Sequence, residues 1–143
     1  MNIVSDYHDA LYSKEGILYD EIRKCFSDEP TIILRRNMKN GFDDLFKVVF
    51  SVDDYFKFLL SRGMDNRTDA SYRVISVEEF PSGIFATLDS RQTFLEDNKY
   101  TIYGVNDEQI FIMDTMGKIK ILEHRWENYI PTDCRWEWHA QIS

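Results

Sequence analysis

The run from Asp114 to Tyr129, DTMGKIKILEHRWENY, constrains the fold more than any other part of the 143-residue chain. Met116-Gly117 is a turn signal between two apolar runs, Ile110–Asp114 and Lys118–Trp126, so the second run folds back on the first as a strand. A strand of that length needs a curved sheet to receive it. Upstream, Ser71–Phe80 and Ile84–Glu96 flank the tight hairpin Pro81-Ser82-Gly83, and both exceed the usual strand length. Tyr100–Val105 and Ile110–Asp114 flank Asn106-Asp107-Glu108, a pattern that admits either a two-stranded hairpin or one long strand with an irregular middle. Pro131-Thr132-Asp133 ends the sheet before an aromatic tail, Trp136-Glu137-Trp138.

The N-terminal half has a different period. Tyr7, Leu11, Leu18, Ile22, Cys25 and Phe26 recur at helical spacing from Ser5 onward, with Ser5 and Asp6 suited to the cap. Gly16 weakens the middle of this stretch and is a point where it can split into two short helices, and Pro30 is expected to stop it. A strand pair, Thr31–Arg36 and Phe46–Phe50, follows around the turn former Asn40-Gly41. Ser51 then caps the clearest helix of the chain, whose stripe Val52, Tyr55, Phe56, Leu59, Leu60 runs to a stop at Gly63. Residues 64–69 are polar and aperiodic, which predicts a loop. Helices followed by long antiparallel strands define an α+β fold, with N-terminal helices packed on a strongly curved, mainly antiparallel sheet.

One domain spanning 1–143 is expected, since a chain of this length buries a sufficient core without metals or disulfides. Ten Phe, eight Tyr and three Trp exceed what core filling requires, and the surplus can line a pocket or an interface. With 25 acidic against 17 basic residues the net charge is −8, a field that disfavours direct contact with nucleic acid or an anionic membrane. Cys25 and Cys134 stand apart without a metal-ligand or disulfide pattern and read as reduced thiols. Neither a secretory leader nor a membrane span is visible, so a cytoplasmic location is expected.

The order helix, short strand pair, capped helix and long antiparallel strands resembles the NTF2-like superfamily, the cone-shaped fold of SnoaL-type cyclases and ketosteroid isomerase. The local likeness is strongest at SVDDYFKFL, which looks like that fold's third helix, and at MGKIKILEHRW, which is similar to its final strand. The resemblance implies a pocket between helices and concave sheet, a homodimer formed through the outer sheet face, no metal or organic cofactor, and acid–base chemistry by carboxylate, Tyr or His where chemistry exists.

No phosphate-binding Gly-rich loop, H-E-x-x-H or G-x-S-x-G motif is present. The candidate catalytic residues are therefore ionisable groups on strands: His124, Asp89 and Tyr103. His124 alternates with Leu122 and Trp126, sharing an apolar face where an imidazole can serve as a general base. Asp89 and Arg91 lie two apart on one strand face and can orient a polar substrate. Tyr103, like Tyr12 and Tyr19, offers a phenol to a developing oxyanion. Arg91, Trp126 and Tyr19 complete the set as binding residues. Simple packing or a surface ion pair is the competing explanation for each. Two functions fit: a cone pocket for a small, largely apolar molecule, with cofactor-free isomerase, cyclase or dehydratase activity, or a small acidic interaction protein of the immunity or inhibitor type that covers a basic toxin or enzyme surface.

Overall fold

The first helix, α1 (Ile3–Leu11), begins earlier than its cap residues suggest: Asn2, not Ser5, accepts hydrogen bonds from the amides of Val4 (3.0 Å) and Ser5 (3.3 Å). A computed structural model describes residues 2–37 and 45–131 of the chain. After a turn at Gly16 the chain enters α2 (Tyr19–Cys25), so the helical stretch is split in two. Pro30 does not end it. The backbone is already extended at Phe26, and strand β1 (Phe26–Asn37) runs through the proline with a shift in register between Phe26 and Thr31, the place where Pro30 has no N–H to give a ladder. Asn40-Gly41 lies outside the described residues, as do Thr132, Asp133 and the aromatic tail.

Strand β2 (Leu45–Val49) pairs antiparallel with β1, and Ser51 Oγ then accepts the Asp54 amide at 3.1 Å to start α3 (Val52–Ser61). Of its expected stripe Val52, Tyr55, Phe56 and Leu59 are buried, but Leu60 is 47% exposed and Phe58 takes the inward place instead, and Gly63 closes the helix at φ 76°, a left-handed conformation that suits glycine. The expected loop over 64–69 is instead a 3₁₀ turn, Met64–Asn66, followed at once by β3 (Arg67–Phe80). Arg67 explains the difference, since its guanidinium donates to Leu11 O at 2.6 Å and Gln92 Oε1 at 3.3 Å and so ties a polar segment to the fold.

β4 (Gly83–Glu96), β5 (Lys99–Met113) and β6 (Ile119–Tyr129) complete a single sheet of order β2-β1-β6-β5-β4-β3, in which β1 and β6 form the parallel pair. β5 is one strand. Asn106 and Asp107 pair with β4 on one side and β6 on the other, which leaves no room for a hairpin there. Between β5 and β6, Asp114 Oδ1 accepts the amides of Met116 and Lys118 at 2.8 and 3.0 Å and fixes the turn. Register shifts in β1, β3 and between Ile112 and Met113 accompany the curvature of the sheet, which does not close. The three helices pack on its concave side, burying Tyr7, Ile22, Ile32, Leu34, Tyr55, Leu88, Phe111, Ile119 and Leu122.

Candidate functional site

Strand alternation puts two rows of side chains under the helices: Tyr103, Val105, Asp107, Gln109 and Phe111 from β5, and Leu122, His124, Trp126 and Asn128 from β6. Toward the end of the sheet where α3 finishes, these rows and the inward face of β1 leave a cavity of about 460 Å³. Leu34, Tyr55, Phe58, Leu59 and Trp126 give it apolar and aromatic walls, while Gln92, Asp107, His124 and Asn128 bring polar groups into it. Phe58 meets Trp126 edge-on at 6.1 Å, and the Trp126 ring lies 5.2 Å from that of His124.

His124 and Asp107 form the chemical centre of this cavity. They are diagonal neighbours, since Asp107 stands opposite Trp126 and Gln109 opposite His124, and the imidazole Nε2 lies 2.5 Å from Asp107 Oδ1. Asp107 is 1% exposed, and its Oδ2 has no partner. A carboxylate accepts, so Nε2 carries a proton, and in the neutral ring the lone pair is then on Nδ1. Nδ1 makes no hydrogen bond among the described residues. Such a contact to Asp107 can hold an imidazole in one tautomer and one orientation, as a general base requires.

Tyrosines surround it from the helix side. Tyr55, on the cavity wall, shares a hydrogen bond with the phenol of Tyr7, and burial raises the pKa of both, with Asp107 adding its negative charge. Burial likewise raises Tyr12, which also lines the cavity. These phenols stay protonated and can donate. Among the described residues no three His, Cys, Asp or Glu side chains gather as metal ligands.

Of the residues singled out from the sequence, His124, Trp126 and Tyr103 line the cavity; partial burial and then Glu96 raise the Tyr103 phenol. Asp89, Arg91 and Tyr19 do not line it. On β4 the inward residues are Ser90, Gln92 and Phe94, so the Asp89 and Arg91 side chains fall on the other face of the sheet. There Asp89 accepts the Tyr129 hydroxyl at 2.8 Å and faces Arg73 at 3.9 Å, while burial raises its carboxyl against the opposing pull of Tyr129, Arg73 and Arg91. Tyr19, at the start of α2, packs edge-on to Phe56 with ring centres 4.8 Å apart. The acid that sequence reasoning missed is Asp107, concealed in the turn-like triplet Asn106-Asp107-Glu108. Its signal was the inward period it shares with Val105, Gln109 and Phe111.

Helices closing the concave side of a curved, mostly antiparallel sheet over an aromatic cavity define a class of pocket-forming α+β domains. The chain has the NTF2-like fold. It is similar to an NTF2-like protein of unknown function from Exiguobacterium sp. 255-15, at 18% identity and a TM-score of 0.61, with 93% of this chain and 100% of that one covered. It is also similar to a ketosteroid isomerase-like protein from Erwinia carotovora atroseptica SCRI1043, at 11% identity and TM-score 0.65 over 90% of this chain and 92% of that one. A putative SnoaL-like polyketide cyclase from Shewanella denitrificans OS-217 superposes at TM-score 0.64 with 8% identity, over 87% of each chain. No protein-family model and no curated protein matches the chain.

Proposed function

We propose that the cavity binds a small, largely apolar molecule and that His124, held by Asp107, moves a proton on it without an organic cofactor or metal, in an isomerisation, cyclisation or dehydration. The observation that carries this reading is the buried Nε2–Oδ1 hydrogen bond inside an aromatic cavity. The walls exclude water from the bound molecule, Nδ1 accepts the proton, and Asp107 stabilises the imidazolium that results. Tyr55 and Tyr12 are neutral donors on the same cavity and can stabilise an enolate oxygen. The cyclase-like and isomerase-like names of structural neighbours lend support in kind, and at 8% and 11% identity they identify no substrate. The interaction-protein alternative has only the net charge of −8 behind it, a value ordinary for a protein surface.

The test does not require the natural substrate. A panel of cyclic and aryl ketones in D₂O, followed by mass spectrometry, reports any carbon acid whose proton the protein removes. The wild type is expected to incorporate deuterium into at least one member, and His124→Gln, which keeps an N–H for Asp107 but has no basic ring nitrogen, is expected to lose about 100-fold or more of that rate. Incorporation that survives in the Gln variant would remove His124 from the mechanism.

A further inference from the structure

Two cations in the cavity are left without ion-pair partners among the described residues. Arg36 ends the inward row Ile32, Leu34, Arg36 on β1, Arg62 stands at the C-terminal end of α3, and both line the cavity. Neither guanidinium forms an ion pair or a hydrogen bond among the described residues, and Arg36 Nε is buried without a partner. Two carboxylates also line the cavity. Asp107 is engaged by His124, and Glu96 makes no ion pair with either arginine among the described residues. In a chain with eight more negative than positive groups, two cations left facing one cavity are conspicuous.

Position on the helix accounts for one of them only. A cation at a helix C-terminus complements the helix dipole, which explains Arg62. It does not explain Arg36, a strand residue whose buried Nε–H is left unmade at a cost that a solvent-facing rotamer would avoid. The two charges also feel each other: partial burial and then the Arg36 charge lower the pKa of Arg62. Like charges held together beside an apolar space cost less when a bound anion supplies the missing partner.

We propose that the ligand of this cavity is an organic carboxylate, with an apolar body against Trp126, Phe58 and Leu34 and its carboxylate on Arg36 and Arg62. The guanidinium fork matches a carboxylate in plane and spacing, and two such groups select an anion over a neutral or cationic head. Anchoring the anionic end at the arginines directs the rest of the molecule toward His124, so the head group fixes which carbon is presented to Nδ1. This assignment rests on the pocket reading above and sharpens it.

Calorimetric titration of the whole chain with three probes of one shape separates the two: 1-naphthylacetate, 2-(1-naphthyl)ethanol and 2-(1-naphthyl)ethylammonium. The carboxylate is expected to bind about ten-fold or more tighter than the alcohol, with the ammonium weakest. Arg62→Gln, an exposed change at a helix end, is expected to remove most of that advantage and leave the alcohol's affinity unchanged, as is Arg36→Gln. Lys24→Gln, which removes the same charge from α2 outside the cavity, is expected to preserve it. An alcohol that binds as tightly as the carboxylate overturns the anion assignment and leaves the pocket standing, and so does a carboxylate advantage that persists in the Arg36→Gln/Arg62→Gln double variant. Failure of all three probes to bind overturns both readings. Because Arg62→Gln alone tests the head-group preference, misfolding of an Arg36 variant does not shelter the proposal.

Discussion

His8 and His124 are both buried, and their surroundings set them different tasks. His8 lies on α1 with its ring among Tyr7, Tyr12, Tyr72 and Phe111; its Nδ1 donates to Val4 O at 2.7 Å, and Nε2 has no partner. Burial pushes its pKa from 6.5 down to about 4, against smaller upward pulls from Val4 O and Asp107. The folded protein therefore holds His8 neutral, whereas the unfolded chain takes up its proton first as pH falls. The stabilisation is fully present above the unfolded pKa and is lost as pH drops from 6.5 toward about 4, a change of about 3 kcal/mol if His8 alone is counted. Urea denaturation at pH 7.5 and pH 5 is expected to show about 2 kcal/mol of it, since pH 5 lies inside the window. His8→Phe, which keeps an aromatic ring in that box, is expected to show a visibly smaller loss of stability between the two pH values than the wild type.

Elements whose signals are local were readable from the sequence. Ser51, the stripe from Val52 to Leu59 and Gly63 fix α3 within a few residues, and the hairpin at Pro81-Ser82-Gly83 and the turn at Met116-Gly117 fix which strands are neighbours. Ser51→Ala removes the acceptor for the Asp54 amide and is expected to cost about 1 kcal/mol, seen as a lower melting temperature with the fold intact. What escaped the sequence depended on distant partners. Arg67 belongs to a strand because Leu11 and Gln92 receive its guanidinium, and Asn106-Asp107-Glu108 stays extended because strands flank it on both sides. Strand parity decided the site. The alternation Leu122, His124, Trp126 marks one apolar face, whereas the face taken by Asp89 depends on its neighbours Leu88 and Ser90, which point inward.

At the scale of the whole molecule, the sheet and the three helices of the described residues leave a cavity at one end and a broad outer face, and no helix among those residues is long and apolar enough to cross a membrane. Phe46 and Phe80 are exposed large apolar side chains on the outer parity of that sheet, Phe46 opposite Arg35 and Phe80 opposite Gly83. A homodimer that buries part of the outer face is the assembly we propose, and light scattering at micromolar concentration is expected to give twice the chain mass; the mass of a single chain would contradict it. The central claim, a base oriented by a buried acid, is tested most directly by the ¹⁵N chemical shifts of the His124 ring, recorded with and without 1-naphthylacetate. The geometry predicts a protonated Nε2 and a bare Nδ1 in the free protein, with the Nδ1 resonance moving when the cavity is filled. A proton on Nδ1, or a ring that does not respond to a probe shown by calorimetry to bind, would contradict the account.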